Sequence, residues 1–321
     1  MCMKKKILII GAEGFVGSNL AYSLNQNNNN EIYLLDIINR KKLKNLNLNK
    51  LKNCKYLQAN ILDNKNLKKI KQHKFGIIYH LASLVGVEKI IDTSETIKSI
   101  IIGTQNVISN FVRKNTKFIF ASTSEVYGNN PKLPWNENDQ MLVGTYDSPR
   151  WDYAKCKSIM ENYIIELSAK KNFKFLILRF FNVYGPRQSK YFLISKIIDK
   201  CKKNKLCKIY FPGNQTRCFT FVDDVINFMT SLSLIETKYN EVINIGSNKK
   251  SRVIQIVKLI KKLTKSKSKI KIVKLNKINN TTFKDVINRQ PDITKIKKLY
   301  KWKPSTKIED GIKKTISFFN N

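Results

Sequence analysis

The chain has 321 residues, 42% hydrophobic and 10% aromatic, enough to bury a large core in one domain or two intimately joined ones. Its 60 basic and 23 acidic residues give a formal charge of +37, but the lysines are spread through every segment and arginine is scarce, so charge alone marks no specific nucleic-acid partner. No apolar run reaches the roughly 20 residues of a membrane span, and the six cysteines form no CxxC pair beside the only histidines, His73 and His80, so a cytoplasmic chain with no membrane contact, disulfide framework or metal is expected.

The apolar segment KILIIG, ending at Gly11, runs directly into GAEGFVG. Gly11, Gly14, Phe15 and Gly17 thus stand where a strand gives way to a helix. Glycines there permit a tight turn, let backbone amides approach a pyrophosphate, and let the helix pack on the strand. EIYLLD closes on Asp36, 19 residues after Gly17, where a carboxylate accepts from both ribose hydroxyls and repels a 2′-phosphate. NAD is therefore expected over NADP. KYLQAN, FGIIYHLA, a helical stretch near 92–114, and KFIFAS follow, then a helix from about Arg150 and the run FKFLILRFFNVYG.

Strands alternating with helical patterns predict an α/β, Rossmann-type doubly wound parallel sheet. Beyond about residue 182 the pattern becomes irregular, which suits a smaller second domain. The expected division is 1–181 for the nucleotide-binding domain, with 219–246 returning to it, and 182–218 with 247–321 for the C-terminal substrate-binding domain. Asp223 and Asp224 are expected to cap the helix that follows them.

Tyr153 and Lys157 lie four apart in PRWDYAKCK, beginning at Pro149, and would share one helix face. That spacing is weak by itself, since 13 tyrosines and 60 basic residues in 321 positions give roughly two chance matches. Its company strengthens it. ASTSEVYG puts Thr123, Ser124 and Glu125 at the carboxyl end of a parallel strand, where open α/β folds bind ligands. LRFFNVYGPRQ and RCFTFVDDV follow downstream.

With G-x-x-G-x-x-G, HLAS and these motifs in order, the chain resembles the extended short-chain dehydrogenases/reductases, the NAD-dependent epimerase/dehydratase family, over nearly its whole length. The resemblance implies NAD contacts from the glycine turn, Asp36, Asn60, Ile61, Leu81, Ala82, Tyr153 and Lys157. Asn60 takes the place of the family's usual Asp. Ile100 stands where the helix motif Asn-x-x-Gly-Thr carries its Asn, so that residue's kinking or water-binding role does not transfer.

In this family Tyr153 would take a proton from a sugar C4 hydroxyl as hydride leaves the same carbon, with Thr123 bonded to the oxygen. Bringing a phenol from about 10 to neutrality requires roughly 4 kcal/mol of phenolate stabilisation; a Lys157 ammonium and the nicotinamide charge are expected to supply it. The resemblance also implies a nucleotide-diphosphate sugar, UDP-linked, as substrate. Asn182, Arg187, Arg217 and Arg289 are its expected contacts, with Arg217 on phosphate, and a homodimer is expected through the helices near 92–114 and 150–170.

Ser124 and Glu125 stand where 4,6-dehydratases carry Asp-Glu, which disfavours dehydration. STSEVYG is similar to UDP-glucuronate decarboxylases and also to GDP-mannose dehydratases, and Pro149, Arg150 and Trp151 resemble the decarboxylase domain of the aminoarabinose pathway. Arg289 occupies the place of an arginine near the substrate carboxylate. The expectation is a UDP-glucuronate decarboxylase-like enzyme, with Thr123, Ser124, Glu125, Tyr153, Lys157 and Arg289 catalytic. A UDP-sugar 4-epimerase or related NAD-dependent epimerase/dehydratase is the alternative, and a non-catalytic NAD sensor or assembly subunit is disfavoured because Tyr153 and Lys157 are both present.

Overall fold

The apolar runs pair as strands because they are short, rich in β-branched and aromatic residues and, apart from the partly exposed Cys54–Gln58, largely buried on both faces. The computed structural model describes residues 5–27, 29–84, 92–144, 150–210, 213–234, 238–273 and 286–320. In chain order the first half runs β1 (Lys5–Ile10), α1 (Phe15–Asn25), β2 (Asn30–Asp36), β3 (Cys54–Gln58), α2 (Asn64–Ile70), β4 (Ile77–His80), α3 (Thr93–Ile97), α4 (Gly103–Phe111), β5 (Lys117–Thr123), α5 (Arg150–Lys171) and β6 (Lys174–Phe180). It continues through β7 (Val183–Tyr184), α6 (Leu193–Lys202), β8 (Cys207–Tyr210), β9 (Thr216–Arg217), β10 (Thr220–Phe221), α7 (Val222–Ser231) and β11 (Glu241–Ile245). β12 (Ser251–Arg252), α8 (Val253–Leu263), β13 (Ile270–Val273), α9 (Thr294–Tyr300) and α10 (Ile308–Asn320) complete it.

Seven strands form one sheet in the order β11-β6-β5-β4-β1-β2-β3. This is the doubly wound Rossmann-type arrangement, whose order reverses on either side of β1. Ile10 pairs with Leu35 of β2 and His80 of β4 in parallel register. Gly11, Asp36 and Leu81 therefore leave the sheet side by side at its carboxyl edge. Leu8, Tyr33, Ile78, Val107, Phe111, Phe118 and Phe120 fill the core on one face, together with Tyr153, Cys156 and Met160 of α5.

By their contacts the residues divide into two compact units: Met1–Val126, Asp152–Arg179 and Ile226–Ile243 in the first, and Tyr127–Trp151, Phe180–Val225 and Asn244–Asn321 in the second. The second holds three two-stranded pairings, β7 with β10, β8 with β13, and β9 with β12. Asp224 departs from the capping expectation. Its carboxylate accepts from Ser305 Oγ (2.9 Å), Thr306 N (3.1 Å) and Thr306 Oγ1 (3.0 Å), so it anchors the segment before α10. Among the described residues no helix is long and apolar enough to cross a membrane.

Candidate active site

The glycine turn is built by close backbone approach. Gly11 has φ +83°, and a Cβ on it would lie 2.7 Å from the Ala82 nitrogen, so the Leu81–Ala82 exit of β4 presses directly on the turn. A Cβ on Gly17 would lie 2.1 Å from the Gly11 carbonyl oxygen, so α1 can pack here only without a side chain. Gly14 is the N-cap of α1 and Phe15 its first residue, leaving the backbone N–H groups of the first turn turned outward without side-chain caps. Asp36 Oδ2 accepts from Glu13 N (2.9 Å) and Oδ1 from Ile38 N (3.1 Å); two carboxylate oxygens keep further acceptor sites after two such bonds. A side-chain-free cradle at a helix N-terminus with a carboxylate beside it fits a dinucleotide.

Glu13, unremarked in the sequence, belongs to the same arrangement. Its carboxylate accepts from the backbone N–H of Lys44 (2.5 Å), Asn45 (2.8 Å) and Leu46 (3.1 Å), pinning the segment after β2 to the turn. Asn60 spends its side-chain oxygen on Leu62 N (2.9 Å), an Asx turn past the end of β3. Ile61 lies against helix α4: its Cδ1 would be 2.5 Å from a Cβ on Gly103, and its carbonyl accepts from Asn106 Nδ2 (2.9 Å).

The run from α3 to α4 passes through a π turn, Lys98–Ile102, with Ile100 buried within it. The turn thus forms with an isoleucine in the Asn position. Close approach of Ile61 to Gly103 marks one packing constraint that it accommodates.

β5 and α5 carry the reactive side chains. Lys157 is 2% exposed; its Nζ donates to the Ala121 carbonyl (2.8 Å) and lies 4.6 Å from the Phe120 ring centroid and 6.0 Å from that of Tyr153. Burial brings its pKa down to about 7, opposed by the charges of Glu161 and Cys156. Tyr153 is also buried, and its hydroxyl is hydrogen-bonded with Thr123 and Ser83. Burial first, and then the Glu125 carboxylate, raise Tyr153 above its usual value, while the Thr123 and Ser83 bonds oppose this. The expected depression of Tyr153 is therefore not a property of this fold by itself: Lys157 directs its ammonium at a carbonyl, and Glu125 adds a negative charge near the phenol.

The first unit thus brings together Tyr153, Lys157, Thr123 and Glu125, and adds Ser83, whose only sequence signal was HLAS in place of HLAA. Ser124 is buried at the start of a 3₁₀ turn, Ser124–Tyr127, and Glu125 N donates to Thr123 Oγ1 (3.2 Å). Of the opening triplet of the helix motif, Pro149 lies outside the described residues, Arg150 begins α5, and Trp151 is buried.

The second unit carries the other candidates. Thr216 bridges Asn288 in parallel, with Thr216 N donating to Ile287 O (3.1 Å). That register sets Arg217 alongside Arg289, both 7% exposed. Arg217 Nη1 donates to the carbonyls of Thr216 (2.8 Å) and Ile287 (2.9 Å), which fixes one terminal nitrogen of the guanidinium. Asn182 follows β6 at φ 36°, and its buried Nδ2 has no hydrogen-bond partner, a donor suited to an incoming oxygen. Arg187 is placed differently: its guanidinium lies over the Phe318 ring of α10 at 5.3 Å.

The model of a family described as GDP-mannose 4,6 dehydratase matches residues 8–315. A UDP-N-acetyl-alpha-D-glucosaminuronate decarboxylase of Bacillus cytotoxicus is 34% identical over 323 residues, covering 99% of this chain and 98% of that protein. Among solved structures, the Thermotoga maritima UDP-glucose 4-epimerase with UDP-glucose superposes with a TM-score of 0.84 at 28% identity, covering 98% of each chain. A Bacillus cereus UDP-glucuronic acid 4-epimerase, in complex with a fluorinated UDP-glucuronic acid and NAD, gives 0.84 at 26% identity, covering 98% of this chain and 99% of that one.

Proposed function

The chain belongs to the extended short-chain dehydrogenases/reductases, the NAD-dependent epimerase/dehydratase family, and from that membership we propose that it decarboxylates a UDP-linked uronate after oxidising the sugar at C4. The observation that carries decarboxylation over epimerisation is the 34% identity with a uronate decarboxylase along the full length of both proteins, against 26–28% with the two epimerases. Ser124-Glu125 after β5 supports the same choice over dehydration.

Tyr153, acting as its phenolate, receives the proton of the C4 hydroxyl on Oη, and Thr123 and Ser83, already bonded to the Tyr153 oxygen, hold the oxygen in line. Lys157, protonated, supplies the nearest positive charge on α5. The glycine cradle and Asp36 would hold NAD, which would supply the hydride acceptor for C4 and a further positive charge beside the phenolate. The product is a β-keto acid. Its C5–C6 bond breaks, CO2 leaves, the electron pair moves into the enolate of the C4 ketone, and a proton then returns to C5. The paired cations Arg217 and Arg289 suit a dianionic diphosphate and a carboxylate, bound through bidentate hydrogen bonds. Asn182 offers its unspent donor to a substrate oxygen.

The same reading carries a cytoplasmic homodimer. Exposed Ile97 and Ile102 on the 93–111 run, with Ile159 and Ile165 on α5, present apolar surface on the helices where a second copy would pack.

The test is incubation with carboxyl-labelled UDP-glucuronate and UDP-N-acetylglucosaminuronate, with NAD present, following released label and product mass. Labelled CO2 is expected from one of them, with a UDP-linked 4-ketopentose, or a UDP-linked pentose if the hydride is returned to C4. Retention of all label with appearance of a C4 epimer would overturn decarboxylation in favour of 4-epimerisation.

A further inference from the structure

The last three residues of β5 are each tied to α5. The Ala121 carbonyl accepts from Lys157 Nζ (2.8 Å), Ser122 Oγ donates to Glu161 Oε1, and Thr123 is bonded to the Tyr153 hydroxyl. The helix partners, 153, 157 and 161, are spaced by four and lie on one face. Glu161 is 1% exposed and is met from β6 by Arg179, 3% exposed, with Nη2–Oε2 at 2.7 Å, Nε–Oε1 at 3.1 Å and Nε–Oε2 at 3.2 Å. A buried ion pair of this kind is often no more stabilising than well-packed apolar residues. Its placement directly beyond the catalytic turn calls for another role.

We propose, resting on the assignment of Tyr153 and Lys157 as the oxidising pair, that Glu161 is a positioning residue: it locks the end of β5 onto α5 and sets a negative charge one helical turn from Lys157. Arg179 and Ser122 hold that carboxylate in place, so the helix cannot rotate Lys157 and Tyr153 away from Thr123 without breaking the pair. Among the charges acting on Lys157, that of Glu161 is the largest and favours the ammonium. The other groups facing Lys157 are Tyr153 and Cys156 on α5 and His80 on β4. His80 is buried, is bonded through Nε2 to Thr104 Oγ1 (2.9 Å), and has its pKa lowered to about 3, so it stays neutral near pH 7. Arg179 is the charged partner bonded to Glu161 among the described residues, and Ser122 adds a neutral donor.

The experiment compares the pH profile of kcat/KM, on whichever uronate or neutral UDP-sugar the parent turns over, for the parent, Glu161→Gln, and the double variant Glu161→Leu/Arg179→Met. The double variant leaves no unpaired buried ion if Glu161→Gln alone fails to fold. Lowering the Lys157 pKa from about 7 by about one unit predicts a loss of roughly tenfold at about pH 8 but only about twofold at about pH 6. A loss equal at all pH values, or a profile superimposable on the parent's, would reduce Glu161 to a structural strut and overturn the inference. Tyr153→Phe and Lys157→Met in the same assay separate the two levels. Their inactivity with an unmoved Glu161 profile refutes only the inference, and their full activity refutes the underlying reading with it.

Discussion

Replacing Lys157 by Met should make the protein more stable while removing its activity, by an amount that depends on pH in a calculable way. The ordinary pKa of lysine is 10.5, and burial brings Lys157 to about 7. Below pH 7 the folded and unfolded chains both carry the proton, so the cost of burying it is fully present: three and a half decades at about 1.4 kcal/mol each, about 5 kcal/mol. Between pH 7 and 10.5 the unfolded chain still binds a proton that the folded chain has shed. Stability therefore rises with pH through that window, by at most ~1.4 kcal/mol per pH unit. Lys157→Met removes this slope, but it also removes the bond to Ala121 and the contact with Phe120, together worth about 2 kcal/mol. The variant is then expected to exceed the parent by about 3 kcal/mol near about pH 6.5, to match it near about pH 9, and to fall below it at higher pH. Urea unfolding of both proteins across this range, without added cofactor, reads the difference. A stability difference that stays flat with pH, or that moves further in favour of the variant as pH rises, would refute the reasoning that Lys157 carries its burial cost as an ammonium.

Gly17→Ala would place a Cβ 2.1 Å from the Gly11 carbonyl, so the turn must open; thermal-shift titration with NAD should show the parent's stabilisation largely lost in the variant. Asp224→Ala removes an acceptor that serves Ser305 and Thr306 through three hydrogen bonds, and chemical denaturation should show a loss of about 3 kcal/mol.

The sheet and the Tyr153–Lys157 face were legible because both are written in local periodicity. Runs such as EIYLLD can only be strands buried on two faces, and a four-residue spacing on a helix fixes two side chains to one side. What remained hidden depends on partners far apart in the chain. Asp224 resembles a cap when read beside Val222 and becomes an anchor only when Ser305 and Thr306 arrive. Arg187 sits in a substrate-like motif, and its placement over Phe318 appears only when α10 arrives. Ser83 and Glu13 carry no distinctive local pattern, since their value lies in the phenol and the three backbone amides they meet. The surroundings of Tyr153 were hidden for a related reason. Spacing shows that Lys157 is near, but not that its ammonium is aimed at Ala121 or that Glu125 stands on the other side.

The surplus of lysine can be separated from the chemistry by burial. Of the basic residues described, only Lys117, Lys157, Arg179, Arg217 and Arg289 are buried. Lys117 lies over the Tyr239 ring at 5.2 Å, a packing role. The other four are the proposed oxidising lysine, the partner of the carboxylate one turn beyond it, and the two arginines set side by side by the Thr216–Asn288 register. Burying a cation is costly unless it is paired or used, so a chain rich in surface lysine would not place these four inside by compositional drift alone. The exposed lysines, by contrast, remain solvated and carry most of the charge of +37. Function is therefore to be sought in this buried handful, and the variants that matter are those that change its charges one at a time.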